Sequence, residues 1–379
     1  MHEGSVMLRG RESSSLRRRF FELFPPPRLL LMNAVGVHLD ATAIRYFELS
    51  WRRGLPNPRC FGTIPLPPDA LAGGAVAKKE ALVGALQTLR REVKSDFLVA
   101  ALPEEKAYLF TLALPAAAAG NLRAALEFRL EEHVPLPARE AVFDFSPLAG
   151  DPRLHAAHAD LAVTVMPHNV VSDFLQSFSL AGFFPLSFEV ESQACARSLI
   201  PNNFLGTALI IHFGETRTGF SVVTRGSVSF ASVSTIGCSA ITDALAEHFS
   251  VPREEAKQIR ESRGYASSGR NMEILFSLTN IFSAIKDEAN KVLTYWQTHQ
   301  REGGESHAVQ RIVLTGRGGA FFSLDEYLSR TLKIPVEVGN VWTNLAHFDD
   351  YIPPIEHLDS LDYAGAIGAA MGAPAYHHG

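Results

Sequence analysis

The polar residues that could do chemistry fall into two short, matching constellations. One is His38, Asp40 and Thr42, within AVGVHLDATAIRYFEL from Ala34 to Leu49. The other is His212, Gly214, Thr216 and Arg217, within ALIIHFGETRTGFSVV from Ala208 to Val223. Superposed, they place His38 on His212, Asp40 on Gly214 and Thr42 on Thr216, at a constant offset of 174 residues. Imidazole is a ligand for Zn, Ni or Cu. Even with Asp40 as a third donor the set is sparse, so two buried, hydrogen-bonded histidines is the plainer reading and no metal is assigned. His347, Asp349 and Asp350 form a second ligand-like group in a proline-ended loop, where solvated side chains are expected. His377 and His378 read as a tail.

Each constellation needs a hairpin to hold it. Leu209, Ile210, Ile211 and Phe213 lead into a polar turn at 214–216, and alternation resumes through Phe220, Val222 and Val223. That is strand, tight turn, strand. One hairpin used twice, half a chain apart, argues for two related lobes. The first is followed by a strand at Arg59–Ile64, a Pro/Gly-rich connector at Pro65–Ala75, an amphipathic helix over Ala77–Val93 and a buried strand at Asp96–Leu102. Residues 103–167 change texture and read as an α+β insertion, with Leu122, Leu126 and Leu130 on the buried face of its helix. Next come a helix over Asn169–Ala181 stopped by Gly182, a strand at Pro185–Val190 and a helix from Glu191 to Leu199.

The second hairpin leads to a strand at Ser227–Ser234 and helices over Cys238–Phe249 and Arg253–Arg263, with Pro252 in the first turn of the latter. One long helix is expected from Glu273 to His299. A strand at Gln310–Leu314, a glycine-rich turn at Gly316–Gly319, a helix over Phe321–Leu332, a strand at Pro335–Val338 and a small-residue helix at Tyr363–Met371 close the chain. The division is a basic arm (1–32), a first lobe (33–102 and 168–204) carrying the insertion (103–167), a second lobe (205–362) with a helical subdomain (238–305), and a closing helix and tail (363–379).

With 379 residues there is room for two or more cored domains. A formal charge of −5 opposes bulk nucleic-acid binding. Cys60, Cys195 and Cys238 are too far apart for a zinc motif or a disulfide framework, so a reducing cytoplasm is the simplest home. The arm holds six arginines against three glutamates within residues 1–30. Glu22 and Pro25–Pro27 interrupt any signal-peptide core, and no apolar run approaches the roughly 18 residues needed to span a bilayer. Two readings stand for LRRRFFELF at 16–24: part of a disordered basic arm, or a short interfacial helix giving peripheral contact with an anionic membrane.

The doubled meander, the insertion and the late G-x-G-G turn together resemble the actin/Hsp70/sugar-kinase superfamily, an α/β two-lobe fold. There the two hairpin turns clamp phosphates through backbone N–H groups, and the glycine-rich turn, here Gly316, Gly318 and Gly319, lies beside the adenosine. Within it, residues 33–372 resemble the type IV pilus assembly protein PilM family. Seven collinear stretches carry the likeness. They are GVHLDATAIRYFEL, LRAALEFRLEEHVPLPAREAVFDF, AGFFPLSFEVESQACARSL, LIIHFGETRTGFSVVTRGSVSFASVSTIG, VPREEAKQIR, RIVLTGRGGAFFSLDEYL and YAGAIGAAMG. The insertion then corresponds to the relocated subdomain also seen in the cell-division protein FtsA.

Departures from the family pattern bear on activity. The aspartates expected to hold a Mg²⁺ shell on the two hairpins are His38 and His212. The first turn's glycine is Asp40, a carboxylate where phosphate oxygens would lie. In the helix expected to touch the nucleoside, Lys257 replaces an acid while Arg260 keeps the basic charge. Glu191 is the best remaining acid near the cleft, with a capping or structural role equally open. Mg²⁺ prefers oxygen donors, and without it the phosphate charge and the attacking water are not organised. Hydrolysis is therefore not expected, and no residue is assigned as catalytic. Nucleotide binding is weakened but not abolished, because Thr42, Thr216, Gly214, Arg217 and the glycine turn survive; ATP is the cofactor the resemblance implies.

The resemblance implies an adaptor at the inner face of the bacterial inner membrane. It would receive the N-terminal tail of a PilN-like protein and link the PilN/PilO platform to the motor ATPases. The tail would lie in a groove bounded by Asp96–Leu114, Leu122–Leu136 and Ala141–Phe145, with Phe97, Phe110, Leu126 and Phe143 as pocket liners or plain core. The alternatives are an active FtsA-like ATPase, a sugar or acetate kinase, or a GspL-like type II secretion scaffold. A kinase would want a catalytic aspartate and an acid at the first hairpin, and neither is found. GspL would continue into a transmembrane helix after the closing helix, which favours the free-standing form.

Overall fold

The computed structural model describes residues 34–52, 55–115, 122–148, 158–262, 271–299, 308–345 and 352–372. The arm at 1–32, the 347–350 cluster and the tail at 377–378 lie outside them. In chain order the first lobe opens with β1 (Ala34–Leu39), β2 (Ala43–Arg52), β3 (Leu55–Pro65), β4 (Leu71–Ala72), β5 (Ala75–Val76), α1 (Lys79–Glu92) and β6 (Phe97–Leu102). The insertion is β7 (Tyr108–Pro115), α2 (Leu122–His133), β8 (Ala141–Pro147) and β9 (His158–Pro167). The first lobe resumes with α3 (His168–Leu180), β10 (Phe184–Val190) and α4 (Glu191–Leu199). The second holds β11 (Thr207–Phe213), β12 (Thr218–Thr224), β13 (Ser227–Ser234), α5 (Cys238–Phe249), α6 (Arg253–Glu261), α7 (Asn271–Ser277), α8 (Thr279–Thr298), β14 (Val309–Thr315), α9 (Leu324–Leu332) and β15 (Val336–Val338). α10 (His357–Ser360) and α11 (Ala364–Met371) follow.

Two five-stranded sheets repeat one plan, β10-β6-β1-β2-β3 and β15-β14-β11-β12-β13. The duplication extends to register. Leu39 pairs with Ile44 across the first hairpin and Phe213 with Thr218 across the second, both shifted by the same 174 residues. All six residues of β1 and all seven of β12 are buried, as interior strands of a sheet covered on both faces should be. α11 closes the first sheet, and its small residues have a steric reason. A Cβ on Gly36 would sit 2.0 Å from the Ala366 carbonyl oxygen, and one on Gly368 only 1.8 Å from that of Ala194.

The long helix expected from Glu273 to His299 is instead two, interrupted at Leu278, where φ is −99° and ψ 0°. On either side, the hydroxyls of Ser277 and Thr279 donate to the carbonyls of Ile274 and Leu275, a local competition with the helix ladder. The connector Pro65–Ala75 also holds more order than expected, since it contains the two-stranded ribbon of β4 and β5. In the insertion, α2 covers a β7-β9-β8 sheet through Leu126 and Leu130, and β7 lies against β13 of the second lobe. No helix among the described residues is long and apolar enough to cross a membrane.

Candidate functional site

The carboxyl ends of β1 and β11 face each other across the lobes, the place where open α/β sheets put their sites. His38 lies between Arg45 on β2 and Ala101 on β6; His212 lies between Gly219 on β12 and Thr315 on β14. Their rings meet edge to face, with centroids 5.7 Å apart. The group between them is Glu191, at the first position of α4. Its Oε1 lies 2.8 Å from His38 Nε2 and 3.3 Å from His212 Nε2. Its Oε2 accepts a 2.6 Å hydrogen bond from Arg217. Arg217 also reaches Glu105 Oε1 at 3.2 Å. Glu104 sits against the same hairpin, so that a Cβ on Gly219 would come 2.6 Å from its Oε1.

Charge in this pocket is tightly constrained. Burial alone would raise the Glu191 carboxyl, but the Arg217 guanidinium and the two imidazoles hold it well below the usual carboxylate range. Burial pushes His212 down to about 4 even with Glu191 beside it, so its ring is neutral at pH 7. Burial and the charge of Glu191 push Glu104 up to about 8, against the pull of Arg217. From the sequence alone the role of Glu191 stays open, and nothing in the spacing of Glu104 and Glu105 points to the cleft. Only the strand-to-helix junction at Val190–Glu191 hinted that an acid would point into the cleft.

Asp40 is neither a third donor to the histidines nor a bare carboxylate facing a phosphate site. Its Oδ1 caps its own turn, accepting from the Thr42 and Ala43 N–H groups at 2.7 and 2.9 Å and from the Thr42 hydroxyl at 2.7 Å. Its Oδ2 pairs with Arg45, which the hairpin register sets opposite His38 and which also lies 3.6 Å from Asp362. Burial opposes ionisation of Asp40, yet Arg45, His38 and the Thr42 hydrogen bonds hold its carboxyl far below the usual range. This Asx-type turn explains an aspartate where the family pattern has glycine. It also occupies the Thr42 hydroxyl.

The remaining expected residues divide between internal pairing and packing. Arg260, at the end of α6, reaches the second turn and donates to Glu215 Oε1 at 2.8 Å. Gly214 closes that turn by donating to the Arg217 carbonyl, and Thr216 stands exposed. In the glycine-rich turn, the N–H groups of Gly316, Gly318 and Gly319 donate to the carbonyls of Leu361, Phe213 and Gly316. Gly316 has φ +78°, the left-handed region, and a Cβ there would meet the Phe213 carbonyl oxygen at 2.8 Å. Arg317 pairs with Asp362 at 3.0 Å.

Of the four residues proposed as liners, Phe110, Leu126 and Phe143 meet in the insertion core and Phe97 stands apart. Phe97 packs on Phe184 at the far end of β6, away from the insertion core. Leu126 and Phe143 are buried within that core, with the Arg123 guanidinium 4.6 Å from the Phe143 ring centre. Phe110 is half-buried and stacks on His133 at 4.8 Å.

The donor set matches Mg²⁺ and a triphosphate poorly. Two imidazoles stand where oxygen donors would be wanted. Arg45, Arg217, Arg260 and Arg317 each already hold a carboxylate, so a phosphate would have to displace one. As a chemical object the pocket is an ion-pair network joining two lobes, with a His-Glu-His cluster at its centre.

Comparison with known proteins agrees with this architecture. A solved structure described as a PilM-PilN type IV pilus biogenesis complex superposes with TM-score 0.73 at 21% identity, covering 90% of this chain and 99% of that one. The ethanolamine utilization protein EutJ from Carboxydothermus hydrogenoformans gives 0.53 at 14% identity, covering 91% of each chain. MreB5 of Spiroplasma citri bound to ADP gives 0.51 at 10% identity, covering 88% of this chain and 94% of that one. At these identities the likeness speaks for the actin-like fold. The family model for type IV pilus assembly protein PilM matches residues 36–373, nearly the whole described chain, and on that match the protein belongs to the PilM family.

Proposed function

We propose that this chain is an adaptor of the type IV pilus assembly platform at the inner face of the inner membrane. It binds the N-terminal tail of a PilN-like partner, links the PilN/PilO platform to the motor ATPases, and does not hydrolyse ATP. The observation that carries the second half is an internally paired cleft. Its four arginines are spent on protein carboxylates, and two of those pairs reach across or between the lobes through Arg217 and Asp362. Such a cleft fixes the lobes in one relation rather than preparing a charged site for phosphoryl transfer.

For the partner, support comes from the likeness to a PilM chain solved with PilN over 99% of its length. Within the insertion, β8 is an edge strand while β7 is covered by β13. An extended tail adding to the β8 edge at Ala141–Phe145 would gain main-chain hydrogen bonds, with half-exposed Val142 beside it. The test uses the purified full chain and a synthetic PilN-like N-terminal peptide. Micromolar binding and no Mg²⁺-dependent ATP turnover are expected. A folded protein with no affinity for the peptide would sink the adaptor reading, and turnover lost in a Glu191→Gln variant would overturn the inactive-cleft reading.

A further inference from the structure

Beyond the partner-binding reading, and independent of it, the cleft contains a cluster with the composition of a metal site. We propose that His38, Glu191 and His212 bind one divalent transition-metal ion, Zn²⁺ by donor chemistry, as a bridge between the lobes. One ligand atom from each of the three lies within 4.8 Å of the others. Donors about 2.0–2.2 Å from a tetrahedral Zn²⁺ stand roughly 3.3–3.5 Å apart. The imidazole–carboxylate separations here, 2.8 and 3.3 Å, are already in that neighbourhood. Both Nε2 atoms converge on one carboxylate oxygen, so small side-chain rotations bring all three onto a shared ion.

Charge supplies a second, separate argument. Glu191, Glu105 and Glu104 surround Arg217, and the Oε2 atoms of Glu104 and Glu105 are buried with no hydrogen-bond partner among the described residues. Glu191 and Glu105 against one guanidinium leave a formal charge of −1 before Glu104 is counted, an excess of negative charge that favours a cation. Glu104 is 5% exposed, so solvent does little to relieve that excess. Nitrogen donors select against Mg²⁺ and Ca²⁺ and favour Zn²⁺ and its neighbours. His38 comes from β1, Glu191 from the start of α4 and His212 from β11, so the ion would tie the second lobe to the first.

The experiment is Zn²⁺ titration of the chelator-stripped full chain by calorimetry, in a background carrying His377→Ala and His378→Ala to remove the tail. One equivalent should bind, and saturation at a hundredfold over Kd should raise Tm by about 4 °C. His38→Gln and His212→Gln should each weaken binding by about a hundredfold, with Mg²⁺ failing to compete. X-ray absorption of the Zn-loaded protein should show imidazole scattering, a readout that does not depend on the variants folding. No stoichiometric uptake, uptake unchanged in both glutamine variants, or a zinc spectrum without imidazole would each overturn the proposal.

Discussion

The two hairpins share a backbone and differ in where their polar groups go. On the first, Asp40, Thr42 and Arg45 satisfy one another and reach no further than Asp362 beside the closing helix. On the second, the turn is left to Gly214, and Arg217 extends across to Glu191 and Glu105 of the other lobe. Both turns touch the other lobe, the first through Arg45 to Asp362 at 3.6 Å and the second through the shorter Arg217 pairs, which make it the principal link. A duplicated fold can therefore keep its register while dividing the labour unequally, one copy chiefly stabilising itself and the other chiefly joining the halves.

The strongest way to break this comparison is to remove the arginine from each side. Arg217→Ala strands the carboxylates of Glu191 and Glu105, the first of them buried, and should cost about 3–5 kcal/mol in denaturant unfolding with the m-value unchanged. Arg45→Ala leaves Asp40 with its backbone and Thr42 hydrogen bonds and should cost about 2–3 kcal/mol. Equal costs would mean the second hairpin is not the principal link.

The pH dependence should also differ in sign. The Asp40 carboxyl is depressed in the fold, so its contribution is full above the unfolded carboxylate range and is lost as pH falls below about 4. Glu104 is raised to about 8, so the folded chain holds a proton the unfolded chain has released. Its contribution is present at low pH and lost as pH climbs from about 4.5 to 8. In chelated protein, Glu104→Gln should flatten the fall in Tm over that interval and leave the limb below about pH 4 intact. A Tm profile unchanged by the substitution would remove Glu104 from the account.

The smallest effect sharpens the comparison most finely. Thr42→Val deletes a hydrogen bond to a part-buried carboxylate and should cost about 1–2 kcal/mol. Thr216→Val, at the equivalent but exposed position, should stay within about 0.5 kcal/mol. Matching losses would show that the second turn also relies on its hydroxyl.

Much of this was legible in the residues. The 174-residue offset, read from His38 and His212, reappears in the strand register, because period-two burial fixes which residues can face the core. The helix from Glu191 to Leu199 has the same bounds in the structure. Less legible was the break at Leu278, where an uninterrupted apolar rhythm hides hydroxyls that turn back on the helix. One expected liner, Phe97, also separated from the other three. Phe97 and Phe143 sit near each other in the expected boundaries but belong to different cores.

What the sequence determined by itself was the architecture and the two histidines, since both follow from local pattern and from a repeat within one chain. Tertiary structure alone decided what surrounds those histidines. Glu191 lies 153 residues from His38 and 21 from His212, and Glu104 approaches Gly219 from another lobe. Those meetings depend on how two sheets dock, which no spacing along the chain encodes. Asp40 makes the same point in reverse. As a letter it is a negative charge in a phosphate turn, and in the fold it is a cap already neutralised by the arginine across the hairpin.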